Sequence, residues 1–220
     1  MLKAMVFIDF ENYNISFNNY YKKRCLEQAQ QEAIEKNEEP PKTTKTIYPK
    51  IDFTLLPQEI IKLLPGTYDL VKTYLFAPKP DTFLMKDPYR ASMYNWINGL
   101  RNQDYISVIE GAHIARPVNG YSYDSMSLEH PESYYVVEKG TDVNLAVHVL
   151  TKGLHNAFDT AIIISGDSDY IPVLDTLNAI GKSVIVVGVE GQNLSKLKQH
   201  SDAQLILNDE FFQKCLRAST

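Results

Sequence analysis

The sequence predicts an α/β fold: a mostly parallel central sheet of about five or six strands, flanked by helices in a three-layer sandwich. Three observations carry this. Short apolar segments rich in Val, Ile and Phe alternate with longer segments of helical spacing, the pattern of strand–helix–strand units. Several of these segments lack polar alternation, as strands covered on both faces do. Acids close the apolar runs: Asp9 follows Met5 to Ile8, and Asp167 and Asp169 follow Ala161 to Ile164.

Taken in order, Ala4 to Phe10 is apolar throughout and reads as a central strand. A polar Asn/Tyr-rich stretch follows, then a charged helical segment from about 22 to 37 and a Pro/Thr/Lys loop. The chain reads as a single domain over 1–220 with a helical insertion at about 18–52. The insertion reads as a solvated surface helix and loop, the functional alternative being a lid, an arm joining two copies in a homodimer, or a flap on the substrate. Residues 53–64 have helical spacing and are closed by Pro65-Gly66. Tyr68 to Phe76 is the second strand, residues 87–102 a helix, and Tyr105 to Ile109 the third strand. Residues 111–137 read as irregular, either a small β excursion or a mobile loop. Thr141 is placed to cap a helix running to about Asn156. Strands at 160–165, 183–189 and 203–207 alternate with helices at 170–180, 193–200 and 209–216.

The chain has 220 residues, 44% of them hydrophobic, enough for one sizeable α/β core. Its net charge of -5 gives no global basic signature of nucleic-acid binding, although local patches are compatible with it. Cys25 and Cys215 form no metal-binding pair, and the five histidines show no zinc spacing with them. Two free thiols fit a reducing cytoplasm. The first apolar run is too short for a signal peptide, and no window is apolar enough to span a bilayer.

In an open α/β sheet, ligands bind in the crevice beyond the carboxyl ends of the strands. Asp9 ends the first strand, with Glu11 and Asn12 in the turn after it. Asp167 and Asp169 end another, with Ser165 and Ser168 able to orient a carboxylate or a water. Asp142 falls in the first turn of a helix, where an anion is favoured. One such aspartate is equally well read as a helix cap. Three segments aiming acids at one edge repel one another unless a cation sits between them. Mg²⁺ or Mn²⁺ suits an all-oxygen donor set and leaves room for phosphate oxygens. The candidate metal ligands are Asp9, Asp142 and Asp167, with Asp169 as a further catalytic acid and Asn12 and Ser165 as substrate-positioning groups.

Three sequence words, Phe7-Ile-Asp9-Phe-Glu-Asn12-Tyr, Lys139-Gly-Thr-Asp142-Val-Asn-Leu-Ala146 and Ile164-Ser-Gly-Asp167-Ser-Asp169-Tyr170, resemble the NYN domain family of the PIN-like nuclease superfamily, and its LabA-like branch most. The resemblance implies a PIN-like fold and metal-dependent endoribonuclease activity on single-stranded or loop RNA. It carries metal-site roles onto Asp9, Asp142 and Asp167. Where many relatives have a further aspartate six residues after the helix acid, this chain has His148. Lys139 sits three residues before Asp142, and Arg116, Lys79, Lys86, Arg90 and Arg101 belong to the loops and helix after the second and third strands; they read either as ordinary surface charges or as groups that hold an RNA backbone. Tyr121, Tyr123, Tyr134 and Tyr135 can stack on unpaired bases. Two rival readings accompany this one. A haloacid dehalogenase-like phosphatase would use Asp9 as nucleophile, but its Asp-x-Asp word is broken by Glu11. A catalytically weak RNA-binding or protein-interaction module would keep the fold without turnover.

Overall fold

The computed structural model describes residues 1–217. Seven strands form one sheet in the order β4-β3-β2-β1-β5-β6-β7: β1 Leu2–Asp9, β2 Tyr68–Pro80, β3 Ile106–Pro117, β4 Tyr134–Lys139, β5 Thr160–Ile164, β6 Ser183–Val189 and β7 Ala203–Leu207. Every pairing is parallel except β3 with β4. The sequence had suggested five or six strands. The additional one, β4, arises within the stretch expected to be irregular, where β3 runs on to Pro117 and β4 returns antiparallel along the sheet margin.

The helices are α1 Phe10–Glu35, α2 Leu55–Lys62, α3 Pro88–Gly99, α4 Thr141–Leu154, α5 Ile171–Ala179, α6 Ser195–Lys198 and α7 Asp209–Gln213. They cover both faces, because the strands present apolar side chains both ways. On β1, Ala4, Val6 and Ile8 pack with α1, α2 and α7, while Met5 and Phe7 pack with α4 and α5. The charged segment expected to start a helix near residue 22 proves to be the outer half of α1. This helix begins directly at Phe10 and buries Tyr13, Phe17 and Tyr21 at helical spacing. Tyr21 and Arg24 both hydrogen-bond Asp209, at 2.8 Å each, fastening α1 to α7. No helix among the described residues is long and apolar enough to cross a membrane.

The strand order determines where a ligand can enter. From β1 the chain steps outward through β2 to β3 and β4, then crosses back to place β5 on the other side of β1. The crossovers leaving β1 and β5 therefore diverge to opposite faces, opening a crevice above their C-terminal ends.

Candidate metal centre

Asp9 and Asp167 stand at the ends of β1 and β5, on the two sides of this crevice. Asp9 is 4% exposed. Its Oδ1 accepts the backbone N–H of Asn12 at 3.2 Å, capping α1, and its Oδ2 accepts the Ser165 hydroxyl at 2.9 Å. Ser165 Oγ in turn accepts the backbone N–H of Asp167 at 3.1 Å. Asp167 caps the helical turn Ser168–Tyr170 by accepting the N–H of Asp169 at 2.9 Å. The capping role that a lone aspartate invites is thus real at Asp9 and Asp167, and each carboxylate still keeps acceptor capacity.

The third segment arrives through α4. Gly111 on β3 lets the first turn of this helix settle against the sheet, since a methyl group there would lie 2.7 Å from the Thr141 backbone nitrogen. The helix is capped by Gly140 at a φ of 82°, a left-handed conformation that suits glycine. This corrects the expectation of a Thr141 cap: Thr141 is the first residue of the helix and its side chain makes no cap bond. Asp142 follows in the first turn. Its Oδ1 accepts the Tyr170 hydroxyl at 2.9 Å, and the same hydroxyl lies 3.4 Å from Asp9 Oδ2. Burial, with the Asp9, Asp142 and Asp167 charges around it, keeps the Tyr170 phenol protonated well above the ordinary tyrosine range.

Asp9, Asp142 and Asp167 are therefore linked through a shared network of Ser165 and Tyr170, although their carboxylate oxygens do not all lie within 4.8 Å of one another. Burial, with the nearby charges of Asp142 and Asp167, raises the Asp9 carboxyl to about 6. Among the described residues, no lysine, arginine or histidine forms an ion pair with Asp9, Asp142, Asp167 or Asp169. Asp169 is exposed beside them. A set of oxygen donors short of positive charge fits a hard divalent cation.

The other candidates take different places. Asn12 Oδ1 accepts both the Gly166 N–H and the Gln192 amide at 2.8 Å, so this oxygen locks the β5 turn to α1. Lys139 ends β4 opposite Ala112 and is exposed, one residue before the Gly140 cap. Arg116 lies farther along β3, and its guanidinium donates to the Tyr123 hydroxyl at 3.0 Å. His148 lies away from these groups, bonded to the Asn144 carbonyl at 2.8 Å and packed on Tyr74 and Phe76.

A second donor group escaped the sequence reading. Glu11, His113 and Glu138 bring one ligand atom each within 4.8 Å of one another. His113 Nε2 stands 3.2 Å from Glu11 Oε2. The His113 contact holds the Glu11 carboxyl below the usual carboxylate range. Partial burial and the adjacent Glu11 carboxylate push Glu138 up to about 7. His113 and Glu138 face each other across the β3–β4 pairing, so the group exists only because the 111–137 stretch folds as a β excursion and not as a loop.

The NYN domain model matches residues 3–208. The chain belongs to the NYN domain family. A crystal structure of a protein of unknown function from Vibrio parahaemolyticus is similar over 98% of this chain and 96% of that one, with a TM-score of 0.50 and 14% identity. That likeness speaks to the fold alone. No curated protein matches the chain.

Proposed function

We propose that this chain is a metal-dependent endoribonuclease of the LabA-like branch, acting in the cytoplasm on single-stranded or loop RNA. The observation that carries the reading is the linkage of Asp9, Asp142 and Asp167 through Ser165 and Tyr170 at the β1/β5 crevice, with no lysine, arginine or histidine ion-paired to them among the described residues. The NYN assignment supports nuclease chemistry on this fold.

In this reading Asp9, Asp142 and Asp167 hold Mg²⁺ or Mn²⁺, and Asp169 stands by as a further acid. The bound cation would neutralise charge on a phosphodiester and lower the pKa of an attacking water. Ser165 and Tyr170 hold the carboxylates in orientation by donating to them, and each keeps its own proton. Asn12 acts through Gly166, fixing the turn that carries Asp167. Lys139 and Arg116 bind the RNA backbone by charge rather than by base edge. Glu11, His113 and Glu138 supply a second donor set whose imidazole favours Mn²⁺ over Mg²⁺. Residues 18–52 are an insertion in a single NYN domain and act as a flap on the substrate.

The test is metal-dependent cleavage of generic unstructured RNA. Asp9→Asn and Asp167→Asn should each abolish turnover while the fold is retained. RNA and metal binding without any cleavage by the unaltered chain would overturn the enzyme reading in favour of a binding module. Phosphomonoester hydrolysis through a covalent intermediate on Asp9 would overturn it in favour of a phosphatase.

A further inference from the structure

Two cavities open next to each other on the sheet face covered by α1 and α3. The smaller, about 300 Å³, is lined by Glu11, His113 and Arg90. The larger, about 540 Å³, has walls that include Tyr48, Phe53 and Trp96, with Lys22, Lys50 and Arg217 around it. They share Phe10, Asn14, Tyr89 and Met93, so one continues into the other. The smaller begins at Glu11, two residues beyond Asp9. A path therefore leads from Glu11 and His113 into an aromatic chamber.

We infer that the larger cavity receives one unpaired base of an RNA strand whose backbone lies across the carboxylates, a reading that rests on the RNA cleavage proposed above. Its volume falls within the roughly 300–1,000 Å³ of small-ligand sites. Its walls suit a flat heteroaromatic ring. Tyr89 and Tyr48 stand at 68% and 39% exposure, rings presented to solvent that a base can cover. Trp96 is braced edge-on by Phe53, with ring centroids 5.5 Å apart, and the Arg217 guanidinium lies 5.4 Å from its centroid. Stacking of this kind holds unpaired bases with little regard to sequence.

Charge selects a polyanion over a basic or neutral chain, and the aromatic walls suit a nucleic-acid base. Lys22, Lys50 and Arg217 are exposed and have no carboxylate partner among the described residues. No acid lines this cavity, although the chain as a whole carries a net charge of -5. Three unpaired cations on an acidic protein form a local positive rim, where the phosphates flanking a bound base would lie. The Asn14 and Asn18 amides line the same space and can meet a base edge.

The rim is built into the fold. Ile51 bridges to Leu216, and the Arg217 N–H donates to the Lys50 carbonyl at 2.9 Å. The returning end of the 18–52 stretch is thereby paired with the C-terminal segment, forming one wall of the chamber. This gives that stretch a role as a substrate-contacting flap.

Trp96 is the single tryptophan of the chain, so its fluorescence reports this cavity. A short unstructured RNA is titrated into the Asp9→Asn protein in EDTA, where nothing is cut. Saturable quenching of Trp96 is expected, with Tyr89→Ala raising the midpoint about tenfold, the loss of about 1.4 kcal/mol of stacking. In the otherwise unaltered protein with Mn²⁺, Tyr89→Ala and Lys50→Ala should raise KM and leave kcat within about twofold. Tyr89 lies on the surface, so its removal leaves the core intact, and a thermal melt verifies that. The proposal is overturned if labelled RNA binds with no change in Trp96 emission, or if Tyr89→Ala moves neither midpoint nor KM. It is also overturned if that substitution instead splits a concentration-dependent dimer, which would make the chamber a contact between copies. Quenching without cleavage by the unaltered protein would sustain the base pocket and remove the nuclease; cleavage without quenching would do the reverse.

Discussion

Tyr170 donates its hydroxyl to Asp142 across 2.9 Å while lying 3.4 Å from Asp9. One buried phenol thus joins the end of β1 to the start of α4. It is the only neutral donor placed between these two acids among the described residues, so it sets how closely they approach before any cation arrives.

Replacing Tyr170 by Phe keeps the ring in the core and removes the donor. A hydrogen bond to a charged group contributes about 1.5–3 kcal/mol, and the two carboxylates are left to repel. The metal-free variant should therefore be about 2 kcal/mol less stable than the parent in urea unfolding. Mn²⁺ should recover most of that loss, because it takes over the neutralising role. A loss that is the same with and without Mn²⁺ would show that Tyr170 is purely structural.

The pH dependence of stability follows from Asp9. Its carboxyl goes from an ordinary value of 3.8 to about 6 on folding, so the folded chain binds the proton more tightly than the unfolded one. The stabilisation is complete below about pH 4 and is lost as pH rises through about 6. At about 1.4 kcal/mol per unit, the loss has an upper bound of about 3 kcal/mol. Glu138, raised to about 7, slopes in the same direction. The metal-free protein should thus unfold more readily at pH 8 than at pH 5, and Asp9→Asn should flatten part of that slope. Chemical denaturation across this range measures it.

Much of the fold was legible because its strands are apolar and its crossovers amphipathic. The runs ending at Asp9 and Asp167, and those at 183–189 and 203–207, fall where the sequence places them. The first half of α1 was hidden by its Asn and Tyr content, since both are mediocre helix formers. Tertiary burial of Tyr13, Phe17 and Tyr21 overrides that preference, and their three-to-four-residue spacing was the available signal. The sequence leaves β4 open between a β excursion and a loop for another reason. Tyr134–Lys139 is short, marginal and half-exposed, so no apolar face marks it. The three aspartates were legible as candidates because each lies within a recognisable word. Tyr170, Gln192 and the Glu11–His113–Glu138 group were not, because their roles depend on which distant segments the sheet brings together.

Asn12 should matter for structure more than its place beside the acids suggests. Its carboxamide oxygen holds both Gly166 and Gln192, and Asn12→Ala leaves the Gly166 N–H unsatisfied. The expected cost is about 1–3 kcal/mol, together with a lower Mn²⁺ affinity as the Asp167 turn loosens. Calorimetric melting gives the first, and metal titration the second. Retained stability with weakened RNA binding would instead assign Asn12 directly to the substrate.

The second donor group should reveal itself in metal preference. Imidazole favours Mn²⁺ over Mg²⁺ more than carboxylates do. His113→Asn should therefore lower the ratio of Mn²⁺- to Mg²⁺-supported cleavage by about tenfold, with little change in the Mg²⁺ rate. Equal losses with both cations would place His113 outside any metal-dependent step.

The measurement closest to the central claim is calorimetric titration of Mn²⁺ into the unaltered chain and into Asp9→Asn, Asp142→Asn and Asp167→Asn. Saturable binding that each substitution weakens by at least about tenfold is the expected result, since the three carboxylates would share one ion. Binding that survives all three substitutions unchanged, or is absent from the unaltered chain, would contradict it.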